Sequence, residues 1–234
     1  MRPAAGIVAA AGAGAGAAWS LPAPAALLPS LCRSLGIVRE LGGDRPVVAL
    51  TFDDGPHPSG TPAVLDALEA AGARATFFLV GEQVRRWPAV AARIAAEGHT
   101  VALHGDRHRS LLRVAPATLA RDLDRGHDAI AQATGIRSTL YRPPYGVFST
   151  AGLAITRRRG WTPILWSRWG RDWTRRATPQ RIATLVTENL ASGDVLLLHD
   201  ADHYSARDSW RATAAAVPLV LEELDRRGLA STRL

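Results

Sequence analysis

Two adjacent carboxylates, Asp53 and Asp54, end a short apolar run in Thr51-Phe52-Asp53-Asp54-Gly55-Pro56. Neighbouring acids repel one another unless a cation sits beside them. His104 and His108 stand four residues apart in His104-Gly105-Asp106-Arg107-His108. If that loop makes one helical turn, both rings lie on one face and can grip one ion. Two histidines and one aspartate leave positions open for water and substrate, which suits zinc and similar divalent first-row metals. One aspartate then binds the ion. The other is free to take a proton from the attacking water, whose pKa the ion lowers while polarising the carbonyl under attack. Taken alone, Asp-Asp-Gly-Pro is also an ordinary turn, and two histidines at this spacing can sit on any polar surface. Further groups decide between the readings.

Those groups are placed by alternating elements. Apolar, partly β-branched runs at 46–52, 75–80, 99–103, 139–141, 163–166, 194–198 and 229–234 read as strands. Between them fall helical stretches. The first opens at Thr61-Pro62 with a hydroxyl cap and closes at Gly72. A second is interrupted at Trp87-Pro88, and others cover 116–134, 149–159, 178–191 and 208–227. The array, about seven strand–helix units without an internal linker, predicts an α/β fold: a distorted (β/α) barrel of about seven parallel strands rather than an open doubly wound sheet. Asp53-Asp54, His104, Arg142-Pro143-Pro144-Tyr145-Gly146, Asp172-Trp173 and His199-Asp200 all lie just past the C-terminal ends of strands. That is where α/β barrels assemble active sites.

A chain of 234 residues can form one such domain. The expected division is an apolar leader and linker over residues 1–45 and a catalytic domain over 46–234. Residues 4–18, almost all Ala, Gly, Ile and Val after a lone Arg2, are like a secretory signal, with small residues at 23–26 for cleavage. Export, or membrane or cell-wall association, is the expectation, with a cytoplasmic location as the alternative. Residues 20–45, with Pro22, Pro24, Pro29 and Gly42-Gly43, read as a linker or short amphipathic piece. The net charge of +7 comes from dispersed arginines, and no nucleic-acid module is present, so no nucleic-acid partner is expected. Cys32 is the only cysteine, which rules out an internal disulfide and a cysteine metal cluster. The chain is expected to act as a monomer.

Five segments, in order, resemble the polysaccharide deacetylases, carbohydrate esterase family 4: the Thr51-to-Pro56 motif, His104-x-x-x-His108, Arg142-Pro143-Pro144-Tyr145-Gly146, Asp172-Trp173 and Leu197-x-His199. The likeness spans residues 46–233. It implies a divalent metal, zinc above all, with cobalt or another first-row ion as alternatives. It also implies Asp54, His104 and His108 as metal ligands, Asp53 as general base and Arg142 as the partner that holds and tunes it. The Tyr145 backbone N–H would help stabilise the oxyanion, and His199 would protonate the leaving amine. Leu197 would line an acetyl pocket, Trp173 a groove wall, and Asp172 would buttress either Arg142 or His199.

Two positions depart from the family pattern. Gly105 stands where Ser or Thr is common, leaving Asp106 as an extra partner for the metal or its ligands. Trp169 replaces a usual Asp. Of the clustered tryptophans, Trp161 and Trp166 read as core, and Trp169 and Trp173 as sugar platforms. The expected activity is hydrolysis of carbon–nitrogen bonds other than peptide bonds: removal of N-acetyl groups from N-acetylglucosamine-containing polysaccharide, peptidoglycan or chitin-like oligomers, with release of acetate. The alternatives are an O-acetyl esterase acting on xylan-type polymers or a non-sugar amide hydrolase on the same scaffold. A non-catalytic sugar- or metal-binding protein has no need of Asp53, Arg142 and His199 together.

Overall fold

The structure, a computed structural model, describes residues 19–43 and 45–234. The leader expected at 4–18 lies outside the described residues. Among them, no helix is long and apolar enough to cross a membrane.

The strands are β1 Val47–Asp53, β2 Thr76–Leu79, β3 Thr100–Leu103, β4 Leu140–Tyr141, β5 Thr162–Pro163, β6 Arg168–Trp169, β7 Val195–His199 and β8 Ala230–Thr232. They pair in the order β5-β4-β3-β2-β1-β7-β6, and β8 joins the lower half of β1. Every pairing is parallel. β1, β2 and β7 are continuous apolar runs because helices cover one face and the barrel interior the other. β6, two residues long, is one strand more than the periodicity foretold. Asp172 therefore follows β6 rather than the strand before it.

The helices are α1 Pro29–Ser34, α2 Gly60–Ala70, α3 Gly81–Arg86, α4 Pro88–Ala96, α5 Pro116–Thr134, α6 Thr150–Arg158, α7 Pro179–Thr187 and α8 Ser209–Arg226. Proline opens α4, α5 and α7, where its missing N–H costs nothing. Ser149 and Thr178 cap α6 and α7 by accepting from Gly152 and Arg181 N–H. Thr61 does not cap α2. That helix starts at Gly60 after Ser59, and the Thr61 hydroxyl donates instead to the buried Asp200 carboxylate.

Of the stretch 20–45, expected as a linker or short amphipathic piece, residues 20–43 pack on the barrel. Ala25, Cys32 and Ile37 are buried in the main core. Val38 pairs with Ile164 beyond β5, and Leu41 donates to the Gly193 carbonyl before β7. This segment fills the seam between the two ends of the sheet. Its Pro and Gly content conceals a pairing that only the open sheet edges create.

Register carries the fold to the site. Asp53 sits opposite His199 across β1 and β7, and Leu103 opposite Tyr141 across β3 and β4. The next residues along β3 and β4 are His104 and Arg142, which therefore emerge side by side.

The His104–His108 loop is packed against α5 at Gly126. A Cβ there would stand 2.8 Å from Asp106 N and 2.9 Å from Gly105 C. Alanine gains about 1 kcal/mol of helix propensity. Overpacking against backbone that cannot yield costs about 1–3 kcal/mol. Gly126→Ala is expected to destabilise the protein by about 1 kcal/mol net, read as a lower denaturant midpoint; an unchanged or higher midpoint would show that the loop gives way freely.

Candidate active site

Asp53 and Asp54 leave β1 almost fully buried, at 3% and 4% exposure. Asp54 has φ +77, a left-handed conformation that Asp tolerates better than most residues and that turns its side chain away from that of Asp53. The two carboxylates then meet different partners.

Arg142, wholly buried, donates from Nη1 to Asp53 Oδ1 at 2.6 Å and to Thr51 Oγ1 at 2.8 Å. Its Nη2 donates to the Leu165 carbonyl at 3.1 Å, and the guanidinium lies 4.0 Å from the Phe78 ring centre. Asp53 Oδ2 is left facing the site, 3.8 Å from His104 Nε2.

Asp54 Oδ1 lies 3.5 Å from His104 Nε2 and 3.3 Å from His108 Nε2. One ligand atom from each of these three residues lies within 4.8 Å of the others. His104 Nδ1–H donates to the Arg142 carbonyl at 2.8 Å, which fixes the tautomer and leaves the Nε2 lone pair turned inward. Burial raises the Asp54 pKa, but the closeness of the His104, His199 and His108 rings outweighs it and holds the carboxyl at about 2. Burial lowers the His108 imidazole to about 4 against the pull of Asp54, so it is neutral and ready to ligate. The donor set, charge and tautomer fit a divalent ion.

The His104–His108 loop makes no helical turn. It bends through Gly105 at φ +93, and the two ring centres still come within 5.4 Å. Asp106 is turned away from the ligands, toward Arg85 at 2.6 Å and Arg125 at 3.2 Å. Its backbone N–H donates to Asp122, which also pairs with Arg109. It braces the loop rather than adding to the donor set.

His199 faces the two aspartates from β7. Asp172 accepts from its Nδ1–H at 2.9 Å and its backbone N–H at 2.6 Å, and from the Thr213 hydroxyl at 2.8 Å. Asp172 thus supports His199 and not Arg142. Burial lowers the His199 pKa, but the Asp172 carboxylate, helped by Asp54 and Asp53, overrides it and pushes it up to about 10. The ring is an imidazolium at neutral pH.

Asp53, Asp54, His104, His108 and His199 line a cleft of about 300 Å³ with Tyr145, Leu197 and three tryptophans. Trp169 and Trp173 form its wall, ring centres 5.7 Å apart, with Trp173 edge-on to His199 at 5.4 Å. Trp166 is buried, as its core reading implies, yet its ring also lines the cleft. Tyr145, at φ +61, is 60% exposed.

The sequence did not point to Tyr204 or to the work of Asp200. Tyr204 stacks on His108 at 4.3 Å and 11°, while Tyr145 meets the same ring edge-on at 4.4 Å. The Tyr204 hydroxyl donates to Glu82 and accepts from Gln83. His108 Nδ1 is buried without a protein partner, so rings hold this imidazole where a hydrogen bond usually does. Asp200 supports the β1 turn from behind: a Cβ on Gly55 would lie 2.4 Å from its carboxylate. Burial raises its pKa to about 7 despite the Thr61 hydrogen bond.

A second group, His57, Asp202 and His203, also brings its ligand atoms together. Here His57 Nδ1 accepts from Ser59 and Gly60 N–H, so the ring proton stands on Nε2, 3.3 Å from Asp202. The His57 ring therefore has no lone pair for an ion. The group ties the loops after β1 and β7 together.

An α/β barrel whose strand ends gather a two-histidine, one-aspartate set, a buried Arg–Asp pair and an Asp–His pair has the groups of a metal-assisted acyl hydrolase. The polysaccharide deacetylase family profile matches residues 41–164, and the chain belongs to that family. It is 33% identical over 191 residues to a peptidoglycan-N-acetylglucosamine deacetylase of Bacillus cereus, covering 81% of this chain and 86% of that protein. A chitooligosaccharide deacetylase of Bradyrhizobium sp. is 36% identical over 203 residues, covering 81% and 89%. The crystal structure of a peptidoglycan N-acetylglucosamine deacetylase superposes with a TM-score of 0.81 at 26% identity, over 88% of this chain and 94% of that one.

His104→Ala is expected to abolish metal binding. Tyr204→Ala, with every ligand kept, is expected to weaken it about ten-fold by competition with a chromogenic chelator. Full affinity in Tyr204→Ala would mean that the stacked ring does not orient His108.

Proposed function

We propose that this protein is a metal-dependent hydrolase that removes N-acetyl groups from N-acetylglucosamine-containing polysaccharide, peptidoglycan or chitin-like oligomers, and releases acetate. The observation that carries the reading is the division of labour between Asp53, held by Arg142, and His199, held by Asp172, both lining one cleft. Amide hydrolysis needs that pair, because an amine leaves poorly unless protonated.

Asp54, His104 and His108 would hold the ion, zinc above all. When bound, a divalent ion supplies Lewis acidity to the attacking water and the scissile carbonyl. Asp53 Oδ2, the oxygen not engaged by Arg142, takes the proton of the water as it attacks. The Arg142 hydrogen bond keeps Asp53 aimed. The Tyr145 N–H is assigned to the developing oxyanion. His199, already protonated, gives its Nε2 proton to the departing nitrogen; the C–N bond breaks, leaving a free amine and acetate. Leu197 and Trp166 wall the space for the acetyl methyl, and Trp169 and Trp173 offer faces to the sugar ring. Membrane or cell-wall association and export rest on the leader alone, and a monomer is proposed.

Acetate release from N-acetylglucosamine oligomers and from peptidoglycan, with and without chelator and added zinc, tests the activity. Release only from O-acetylated xylan would select the esterase reading instead. Asp53→Asn should cut turnover at least about a hundred-fold with metal content unchanged; an active variant would remove Asp53 as the base. Asp172→Asn leaves burial to lower the His199 pKa. The imidazolium is then lost at lower pH, and the alkaline limb of kcat/KM should move down by about one pH unit or more. An alkaline limb that stays in place would mean that Asp172 does not set the His199 proton.

A further inference from the structure

The loop joining β6 to α7 carries Arg171, Arg175 and Arg176, and Arg181 follows in the first turns of α7. With Gly170 and Thr174, the four arginines line one recess of about 300 Å³. Among the described residues, none of the four has a carboxylate at ion-pair distance. Several arginines elsewhere are paired with acids: Arg85 with Asp106, Arg109 with Asp122, Arg159 with Asp124, Arg168 with Asp194. Residues 173–187 contain no acid at all. Asp172, the acid within the loop, is buried and committed to His199 and Thr213. The recess is therefore a concentration of like charge with no carboxylate paired to it among the described residues.

We propose that this recess is a subsite for carboxylates borne by the glycan strand whose acetylated sugar occupies the adjoining cleft; this rests on the function proposed above. Continuity with the cleft supports it. The Arg171 guanidinium stands 5.4 Å from the ring centre of Trp169, which also lines the cleft. Only Gly170 separates the aromatic wall from the first arginine. A strand lying across Trp169 and Trp173 passes over the arginines within a sugar unit or so. Guanidinium forks match carboxylates two bonds at a time. A concave basic site also concentrates field lines and raises the local population of anionic ligand. A neutral chitin-like oligomer gains nothing from this surface; a wall polymer with carboxylate-bearing side groups does.

The test is co-sedimentation with insoluble peptidoglycan freed of attached phosphate polymers, against the same peptidoglycan after amidation of its carboxyl groups. Wild-type protein is expected to bind the untreated polymer about five- to ten-fold more tightly than the amidated one, the sum of several exposed charge pairs. In the triple variant Arg175→Gln, Arg176→Gln, Arg181→Gln that ratio should fall close to one. Equal wild-type binding to both polymers overturns the proposal, and so does a folded triple variant that keeps the wild-type ratio. If the variant does not fold, the two wild-type arms still decide. Acetate release from neutral N-acetylglucosamine oligomers reports separately on the catalytic reading. Its failure leaves the binding ratio interpretable, and an unchanged ratio leaves the catalytic reading intact.

Discussion

Two carboxylates next to one another in the chain, both almost without solvent, are the constraint around which the rest of this molecule is arranged. Each would be costly to bury ionised and alone. The left-handed turn at Asp54 points them apart, so each is compensated by a different kind of cation. Asp53 receives a permanent charge from Arg142, whose two terminal nitrogens are in turn engaged by Asp53, Thr51 and the Leu165 carbonyl. Asp54 faces two imidazoles and the place for an ion. The same two residue types thereby become chemically distinct: one a tethered proton acceptor, the other a ligand.

The parallel sheet makes this economical. Strands β1, β3, β4 and β7 bring their ends together, and at the last residue or the one after it stands a group of the site. Support then comes from behind the strand ends. Asp172 and Thr213 hold His199, the Arg142 carbonyl holds His104, and Asp200 fills the space behind Gly55. A residue can serve two layers at once: Arg142 binds Asp53 with its side chain and orients His104 with its backbone.

Much of this was legible in the sequence, and the reasons are specific. β1, β2 and β7 are long apolar runs, and the ionisable residues that follow them had no structural explanation of their own. His104, His108, Arg142 and His199 could therefore be read from position and type. β6 could not, because two residues between Trp166 and Gly170 carry no period. Tyr204 gave no signal: its contact with His108 exists only because the loops after β3 and β7 converge. The choice of Asp172 between Arg142 and His199 turned on which strand it follows, and that strand was the one not seen. Asp106, adjacent in sequence to two ligands, was drawn away by Arg85 and Arg125 on α3 and α5, which spacing alone cannot reveal.

The seam between the sheet's two ends has a bearing on the order of assembly. Residues 38–41 precede β1, yet their hydrogen-bond partners are Pro163, Leu165 and Gly193, far downstream. During synthesis this segment emerges before β1 and has nothing to pair with until β5 and the start of β7 have left the ribosome. Contacts of such long sequence separation form late, after the loop entropy between them has been overcome. The part of the domain made first is thus among the last to be fixed, and the barrel is fastened shut from its beginning rather than from its end.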